Sequence, residues 1–482
     1  MKGSLISSIG LATAQGCAAD LRNIVPLHRP VDLPWPAKPW THNRSCRPAK
    51  GIDSSLIGPE RWQALARPAL AECLKEAEVN GETPLIVASC NGGADGFASQ
   101  SWQMAFDTSL LLAGTAWERS HVPVVSASCA SGLHALFLAN CFINSFAEEV
   151  VVLAVDVLSE ANHDNFEGLR ILTAESFSPW QISSDGFLLG EAAVALHLKR
   201  NEDILPGVKL HGPILATDLN GNSGLSHLLR ACKENRFDII LGQGTGPYAV
   251  DEVELSALRE KVDPGIPIAT GLAAFGHTLG ASGLLSVALA VLAKEHNHSM
   301  PVLVMDAESC ADGRALANGK KVQDDVLVIC RALSGACGVA IISDRDGQVA
   351  TVIPKSWEKP ALAPPLTNKV LQQLSREAGQ HRPDTPPDVI FVRLEEPLAP
   401  ARESLIGGRL LPSAVLEITP GFVPNLISQM WGFRGPAFCI VGEAAADKEI
   451  TNICRAVRES GLDISLVSIM GRGEERYVEW QT

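Results

Sequence analysis

Three glycine-rich turns in this chain hold side chains that could do chemistry. The first is SASCASG, with Cys129 at its centre. A short, mostly β-branched run, Val122 to Val125, precedes it, and an apolar helix-forming segment, Leu133 to Phe142, follows. That pattern predicts strand, tight turn and helix. A thiol at a helix N-terminus feels the positive end of the dipole, which favours the thiolate, the nucleophilic form. Small neighbours (Ala127, Ser128, Ala130, Ser131, Gly132) leave room for a substrate to approach. Local sequence alone favours a plainer outcome, a buried core cysteine, because free Cys is a common core residue. The second turn is GQGTG, Gly242 to Gly246, directly after the apolar FDIIL, with Asp251 and Glu254 downstream. The third is FGHTLGASG, which places His277 ahead of another apolar helix. GQGTG also admits a dinucleotide-binding reading. Against it, the third glycine position is Pro247 and no acidic residue sits on a following strand.

The elements that must position these turns alternate along the chain. A first strand with a glycine turn near Cys17 reads better than a signal peptide. A Pro-rich basic stretch to Lys50 reads as surface loop, and Glu60 to Val79 as amphipathic helix with Pro68 marking a kink or second start. Pro84 to Ser89 is a buried strand, and Gln100 to Ala113 a helix. Glu149 to Val157 is almost wholly apolar, so both its faces must be covered, which points to a central parallel strand. A second half repeats the alternation: strand Gly212 to Leu219, helix Leu225 to Glu234, strand Phe237 to Leu241, helix Asp251 to Val262, strand Pro267 to Thr270 and helix Leu284 to Lys294. Val326 to Ile329 and Val339 to Ser343 read as a hairpin around a glycine loop. The expected architecture is a layered α/β fold with a central pseudo-repeat.

With 482 residues the chain is too long for one ordinary domain. A formal charge of −14 argues against nucleic-acid binding through phosphates, which needs Lys and Arg in excess. The most apolar helix is too short to span a bilayer. Twelve cysteines without a CxxC pair fit a reduced, cytoplasmic protein rather than a disulfide scaffold or a zinc ribbon. His296 and His298 form an HxH pair that reads as solvated loop, so no metal site is expected. His134, His163, His211 and His227 read as surface or satisfied core residues.

SASCASG, SSDGFLLGEAAVAL, GQGTG and FGHTLGASG, in this order and spacing, resemble the β-ketoacyl synthase family of the thiolase fold over about residues 1 to 345. The resemblance implies a duplicated αβαβα core and Claisen condensation. Cys129 would take an acyl group from an acyl-carrier-protein or coenzyme A thioester, a malonyl-type thioester would lose CO₂, and its carbanion would attack the acyl-enzyme. Phosphopantetheine would arrive on the substrate, so no resident cofactor is implied. Family members usually supply two histidines, at positions matching 243 and 277 here. This chain keeps His277 but has Gln243, has Leu272 where the family has lysine, and lacks the gate phenylalanines in CRALSGACG, Cys330 to Gly338. Gln243 can still donate an amide N–H to a thioester carbonyl, or it can mark a non-elongating transacylase; the reading leans to acyl transfer with some condensation. By the resemblance, Gly335 would lend its loop's backbone N–H groups to the acyl oxygen, Ser131 and Thr245 would contact substrate, and Asp185 and Glu191 would be structural.

Past Asp344 prolines mark a linker, 346–388, with a short helix Asn368 to Ala378. The boundaries expected are therefore 1–205 for the half with the cysteine, 206–345 for the half with the histidine, the linker, and an appended α/β segment, 389–482. Within that last segment PSAVLEITPGFVPNLISQMWGFRGPAFCIVG resembles the stretch that leads to a ketosynthase nucleophile, yet Cys439 falls inside the strand and the turn reads GEAAAD. The resemblance implies a truncated ketosynthase-like copy without a nucleophile. Thiolase-fold enzymes dimerise through the strand beside the nucleophile, so a homodimer, or a heterodimer with another ketosynthase-like subunit, is implied. The opposing class is a non-catalytic chain-length-factor-like subunit; such subunits usually lack the cysteine that stands intact here.

Overall fold

The computed structural model describes residues 3–22, 30–32, 41, 45–75, 77–95, 102, 104–173, 177–201, 206–218, 223–232, 235–295, 309–316, 322–346, 357–360, 364–398, 405–406, 409–410, 417–472 and 475–481. The HxH pair and residues 100, 101 and 103 lie outside them; of the helix expected from Gln100 to Ala113, the described part forms a helix over Thr108–Leu112, where Asp107 caps a new start. Among the described residues no helix is long and apolar enough to cross a membrane.

One 14-stranded sheet organises the molecule. Its strands, in chain order, are β1 (Ser4–Thr13), β2 (Leu85–Ala88), β3 (Val124–Ser126), β4 (Glu149–Asp156), β5 (Ala192–Arg200), β6 (Lys209–Thr217), β7 (Phe237–Leu241), β8 (Ile268–Ala269), β9 (Asp325–Arg331), β10 (Ala336–Ser343), β11 (Val389–Leu394), β12 (Ala437–Val441), β13 (Ile464–Arg472) and β14 (Glu475–Gln481). Across the sheet the order is β8-β7-β9-β10-β6-β1-β5-β4-β2-β3-β12-β11-β13-β14. The helices that matter here are α1 (Gly58–Cys73), α2 (Ser131–Ser145), α3 (Glu160–Leu169), α4 (Ser223–Ala231), α5 (Tyr248–Lys261), α6 (Ser282–Glu295), α7 (Lys369–Glu377), α8 (Phe422–Trp431) and α9 (Asp447–Glu459).

The pairing pattern recurs. In the first unit β2 is parallel to β3 and to β4, β4 is antiparallel to β5, and β5 to β1. In the second, β7 is parallel to β8 and β9, β9 is antiparallel to β10, and β10 to β6. In the C-terminal segment β11 is parallel to β12 and β13, and β13 is antiparallel to β14. The thiolase-like duplication is therefore present, and the appended segment repeats its first unit without the opening strand. β4 differs from the expectation of a parallel strand on both sides, since β5 returns antiparallel. Both its faces are covered nonetheless. Val150, Val152 and Ala154 pack in the core that contains α2, while Val151, Leu153 and Val155 pack in the core that contains α1. α1 runs on through Pro68 as one helix and ends at Cys73, so Pro68 does not mark a second start.

The C-terminal segment joins the first unit along the nucleophile strand. β3 and β12 pair antiparallel, Ser126 with Cys439, Val125 with Ile440 and Val124 with Val441. α9 lies against α2 across this junction, with Ile450, Ile453 and Val457 in the same core as Leu138 and Phe142. Ser460 Oγ also donates to the Cys141 carbonyl at 3.1 Å. The edge through which the resemblance places a second subunit is thus occupied by the chain itself. The expected linker needs a similar correction. Its described part, 357–360 and 364–388, is folded onto the segment that follows: Leu371 and Leu374 of α7 are buried in the core that contains α8, and Trp431 Nε1 donates to the Ala378 carbonyl at 2.7 Å. Asn368 caps α7, as the sequence suggested for that helix start.

Candidate active site

The carboxyl ends of β3, β7 and β8 and the β9–β10 turn meet around one cavity of about 320 Å³. Cys129, Gln243, Thr245, His277 and Gly335 all line it. Expected positions from the two halves of the core, more than a hundred residues apart in sequence, therefore share one space.

Cys129 sits in the turn between β3 and α2. Ser128 just before it has φ +54°, a left-handed conformation that only a well-determined turn imposes on a non-glycine residue. Ser131 Oγ fixes that turn. It accepts from Ala127 N at 2.9 Å and donates to the carbonyls of Ser128 and Ser89 at 2.5 and 3.2 Å. Ser131 does not line the cavity, so its place is under the nucleophile rather than against substrate. The Cys129 thiol is held well below its ordinary acidity range. A hydrogen bond from the Cys90 thiol is the main cause, and the adjoining His277 ring adds to it, together outweighing burial. Cys90 is pushed up in return, by its hydrogen bond to Cys129 and by burial. All twelve cysteines are free thiols. Burial pushes Cys73, Cys141 and Cys232 up to about 12, so Cys129 is set apart chemically.

His277 is placed by the fourth motif. Its backbone N–H donates to Leu188 O at 2.7 Å and its carbonyl accepts from Gly190 N at 3.1 Å. The Phe187 ring packs against the imidazole, tilted by 39° with centroids 4.7 Å apart. Leu279 N donates to His277 Nδ1 at 3.0 Å. A backbone N–H can only donate, so Nδ1 is the acceptor and the neutral ring carries its proton on Nε2. Glu191, from the same motif as Phe187, is structural: it accepts from Arg61, Ala49 N and Leu158 N. Asp185 is exposed.

GQGTG is held by two carboxylates of α5. Glu254 accepts from Gln243 N at 2.8 Å, Gly244 N at 3.1 Å and Trp180 Nε1 at 2.9 Å. Asp251 accepts from Thr245 N at 2.7 Å and from Gly246 N at 3.0 Å. Four of the loop's N–H groups are spent on these carboxylates and that of Gly242 on the Ala269 carbonyl at 2.9 Å, which leaves none to cradle a dinucleotide's phosphates. The Gln243 side chain is buried, and its amide nitrogen has no hydrogen-bond partner. It is a donor awaiting an acceptor inside the cavity.

Gly335 lines the cavity, but its own N–H closes the β9–β10 turn by donating to Ala332 O at 2.9 Å. That N–H is not available to an acyl oxygen, so only the other N–H groups of the loop could serve one. The sequence reading did not single out Arg331, Asp218 or Gln429, which also line the cavity. Gln429 comes from α8, in the C-terminal segment. On the same helix Asn425 Nδ2 donates to Ser334 Oγ at 2.9 Å. Gly421, at its start, lies so close to Ser128 that a Cβ there would collide with the Ser128 backbone nitrogen. The RGP element docks beside it, where Thr217 N donates to Arg434 O at 2.8 Å and Thr217 Oγ1 to Gly435 O at 3.0 Å. No pattern in the sequence tied these residues to the turn. His134, read as a core residue, is buried with its ring edge against Phe438, and burial pushes it down to about 4.

Comparisons with known proteins bear on this arrangement. The model of the β-ketoacyl synthase N-terminal domain matches residues 119–204, and that of the C-terminal domain matches residues 225–306. The putative β-ketoacyl synthase 1 of actinorhodin polyketide synthesis from Streptomyces coelicolor is 25% identical over 338 residues, covering 62% of this chain and 71% of that protein. A polyunsaturated fatty acid synthase protein of Thraustochytrium sp. is 28% identical over 217 residues, covering 40% of this chain, which spans only 11% of that much longer protein. Among solved structures, the PfaC keto synthase–chain length factor has a TM-score of 0.73 at 11% identity, covering 97% of this chain and 74% of that one; the likeness is one of fold. The two matched domain models fall, in chain order, on the unit that holds Cys129 and the unit that holds His277, and the chain belongs to the β-ketoacyl synthase family.

Proposed function

We propose that this chain is a β-ketoacyl synthase-like acyltransferase that forms an acyl-Cys129 thioester from an acyl-carrier-protein or acyl-coenzyme A donor, in fatty acid or polyketide-type biosynthesis. The observation that carries the reading is a single cavity lined by a thiol of lowered pKa, an imidazole Nε2–H and an unpartnered amide N–H. The Cys129 thiolate attacks the thioester carbonyl carbon and a C–S bond forms. Gln243 and His277 donate to the oxyanion as it develops. The intermediate collapses, the donor C–S bond breaks, and the leaving thiolate takes up the proton that Cys129 gave up. The products are acyl-enzyme and free carrier thiol. Two uncharged donors suit this transfer. Decarboxylative condensation asks more of position 243, because an amide cannot become a cation, and pure transacylation is therefore the favoured form. The non-catalytic chain-length-factor-like alternative would leave the acidic thiol without a task. Since β12 fills the nucleophile-strand edge, a second copy or a ketosynthase-like subunit would dock elsewhere.

Intact-protein mass spectrometry after mixing with acyl thioesters tests the reading. One acyl adduct on the wild type and none on Cys129→Ala is expected; an equal adduct on both, or none on either, overturns it. Release of CO₂ from malonyl-carrier protein would separate condensation from transfer.

A further inference from the structure

The wall of the cavity carries a guanidinium that the chemistry above does not use. Arg331 ends β9, and among the described residues that line the cavity it is the one arginine or lysine. Its Nη1 donates to the Val250 carbonyl at 3.3 Å. Nη2 stands 3.6 Å from Asp218 Oδ2, an ion pair rather than a good hydrogen bond. Nε is buried and has no acceptor. The side chain is 15% exposed and lines the cavity. An oxyanion entering the cavity would meet a guanidinium whose charge is only loosely paired by Asp218, and would complete that pairing.

The other acidic groups do not take that place. Glu254 turns both oxygens to the GQGTG loop and Trp180. Asp218 has Oδ1 committed to Gly224 N at 2.5 Å. The thiolate charge disappears once Cys129 is acylated. The anion that fits must also reach the cavity that holds the reacting sulfur. The phosphate of a pantetheine arm cannot, because the length of that arm keeps it far from its own thiol. A carboxylate on the acyl group can.

Resting on the acyl-cysteine reading, we infer that Arg331 makes this cavity selective for acyl thioesters that end in a carboxylate, with the guanidinium receiving the carboxylate as the acyl group passes to Cys129. The transfer is balanced as before: the enzyme thiol and the dicarboxylic acid thioester give a carboxyacyl-Cys129 thioester and free carrier thiol. Holding the carboxylate as an anion stabilises the ground state and opposes its loss as CO₂, which favours transfer over decarboxylation. Arg331 thereby supplies the fixed positive charge that Gln243 lacks.

Succinyl-coenzyme A and butyryl-coenzyme A have acyl chains of the same length and differ by the carboxylate. Rates of adduct formation on Cys129 of the full chain, read by peptide mass spectrometry, are expected to favour succinyl by about tenfold or more, the value of a charge-assisted hydrogen bond. That ratio should fall toward unity in Arg331→Gln and be partly kept in Arg331→Lys. If Arg331→Gln does not fold, Asp218→Asn serves: with the counter-charge gone the ratio should rise. A wild-type ratio near unity, a ratio unchanged in Arg331→Gln, or no rise in Asp218→Asn overturns the inference while leaving the acyl-cysteine reading intact. Absence of either adduct on Cys129 sinks that reading and the inference with it.

Discussion

The acidity of Cys129 depends on a second sulfur. Helix dipoles act on any group at an N-terminus, but here the Cys90 thiol is the main cause of the lowered pKa and His277 follows. Cys90 lies just after β2, in the CNGG turn that is the first-unit counterpart of GQGTG. Replacing it with alanine removes the hydrogen bond that favours the anion. The sign follows directly: thiolate reactivity that the wild type keeps as pH falls below the usual thiol range should be lost at a higher pH in Cys90→Ala. The rate of iodoacetamide alkylation of Cys129 against pH, read by mass spectrometry, measures this. Superimposable profiles would mean that His277 and the backbone suffice.

At the scale of elements, the site depends on how α5 grips a loop. Glu254 takes three N–H donors with two oxygens, and a glutamine there presents an NH₂ group to at least one of them. Glu254→Gln should cost about 2–3 kcal/mol, the cost of leaving donors to a charged acceptor unmet. A urea unfolding midpoint lowered with unchanged slope is the expected result; a midpoint within error of wild type would show that the loop is held by Asp251 and packing alone. The loop's grip matters for chemistry because it aims Gln243. The same logic explains SSDGFLLGEAAVAL, whose two roles are to pack Phe187 against the imidazole and to set Glu191 under Arg61.

For the whole molecule, the C-terminal segment covers the side of the core on which the nucleophile strand lies. It closes the β3 edge, packs α9 on α2, and sends α8 across the mouth of the nucleophile turn. Gly421 is the tightest point of that contact. A methyl group there meets the Ser128 backbone, which cannot move without disturbing Cys129. Gly421→Ala should therefore cost about 1–3 kcal/mol of stability through overpacking and slow acyl-Cys129 formation as well. Thermal unfolding and adduct kinetics on the same sample check both. Full activity in this variant would show that the segment rests on the turn without shaping it.

The sequence by itself determined the local parts: each strand–turn–helix, the small residues around Cys129, the placing of His277 before an apolar helix, and Asn368 as a helix start. These follow from short-range backbone preference and hydrophobic period, which a few neighbouring residues encode. It also singled out Gln243 and the loop Cys330 to Gly338 as the places where the resemblance implies a departure, because motif spacing assigns those positions. Only the tertiary structure decided which groups face the same space. Arg331, Asp218 and Gln429 meet Cys129 because β9, β6 and α8 end there, and strand register and helix packing across hundreds of residues set that convergence. The same long-range pairing turned an expected linker and subunit edge into the interior of one chain, and it spent the Gly335 N–H and the Ser131 hydroxyl on turns where sequence had placed a substrate. A residue's type fixes what it can donate; its partner is fixed by what the rest of the fold brings within reach.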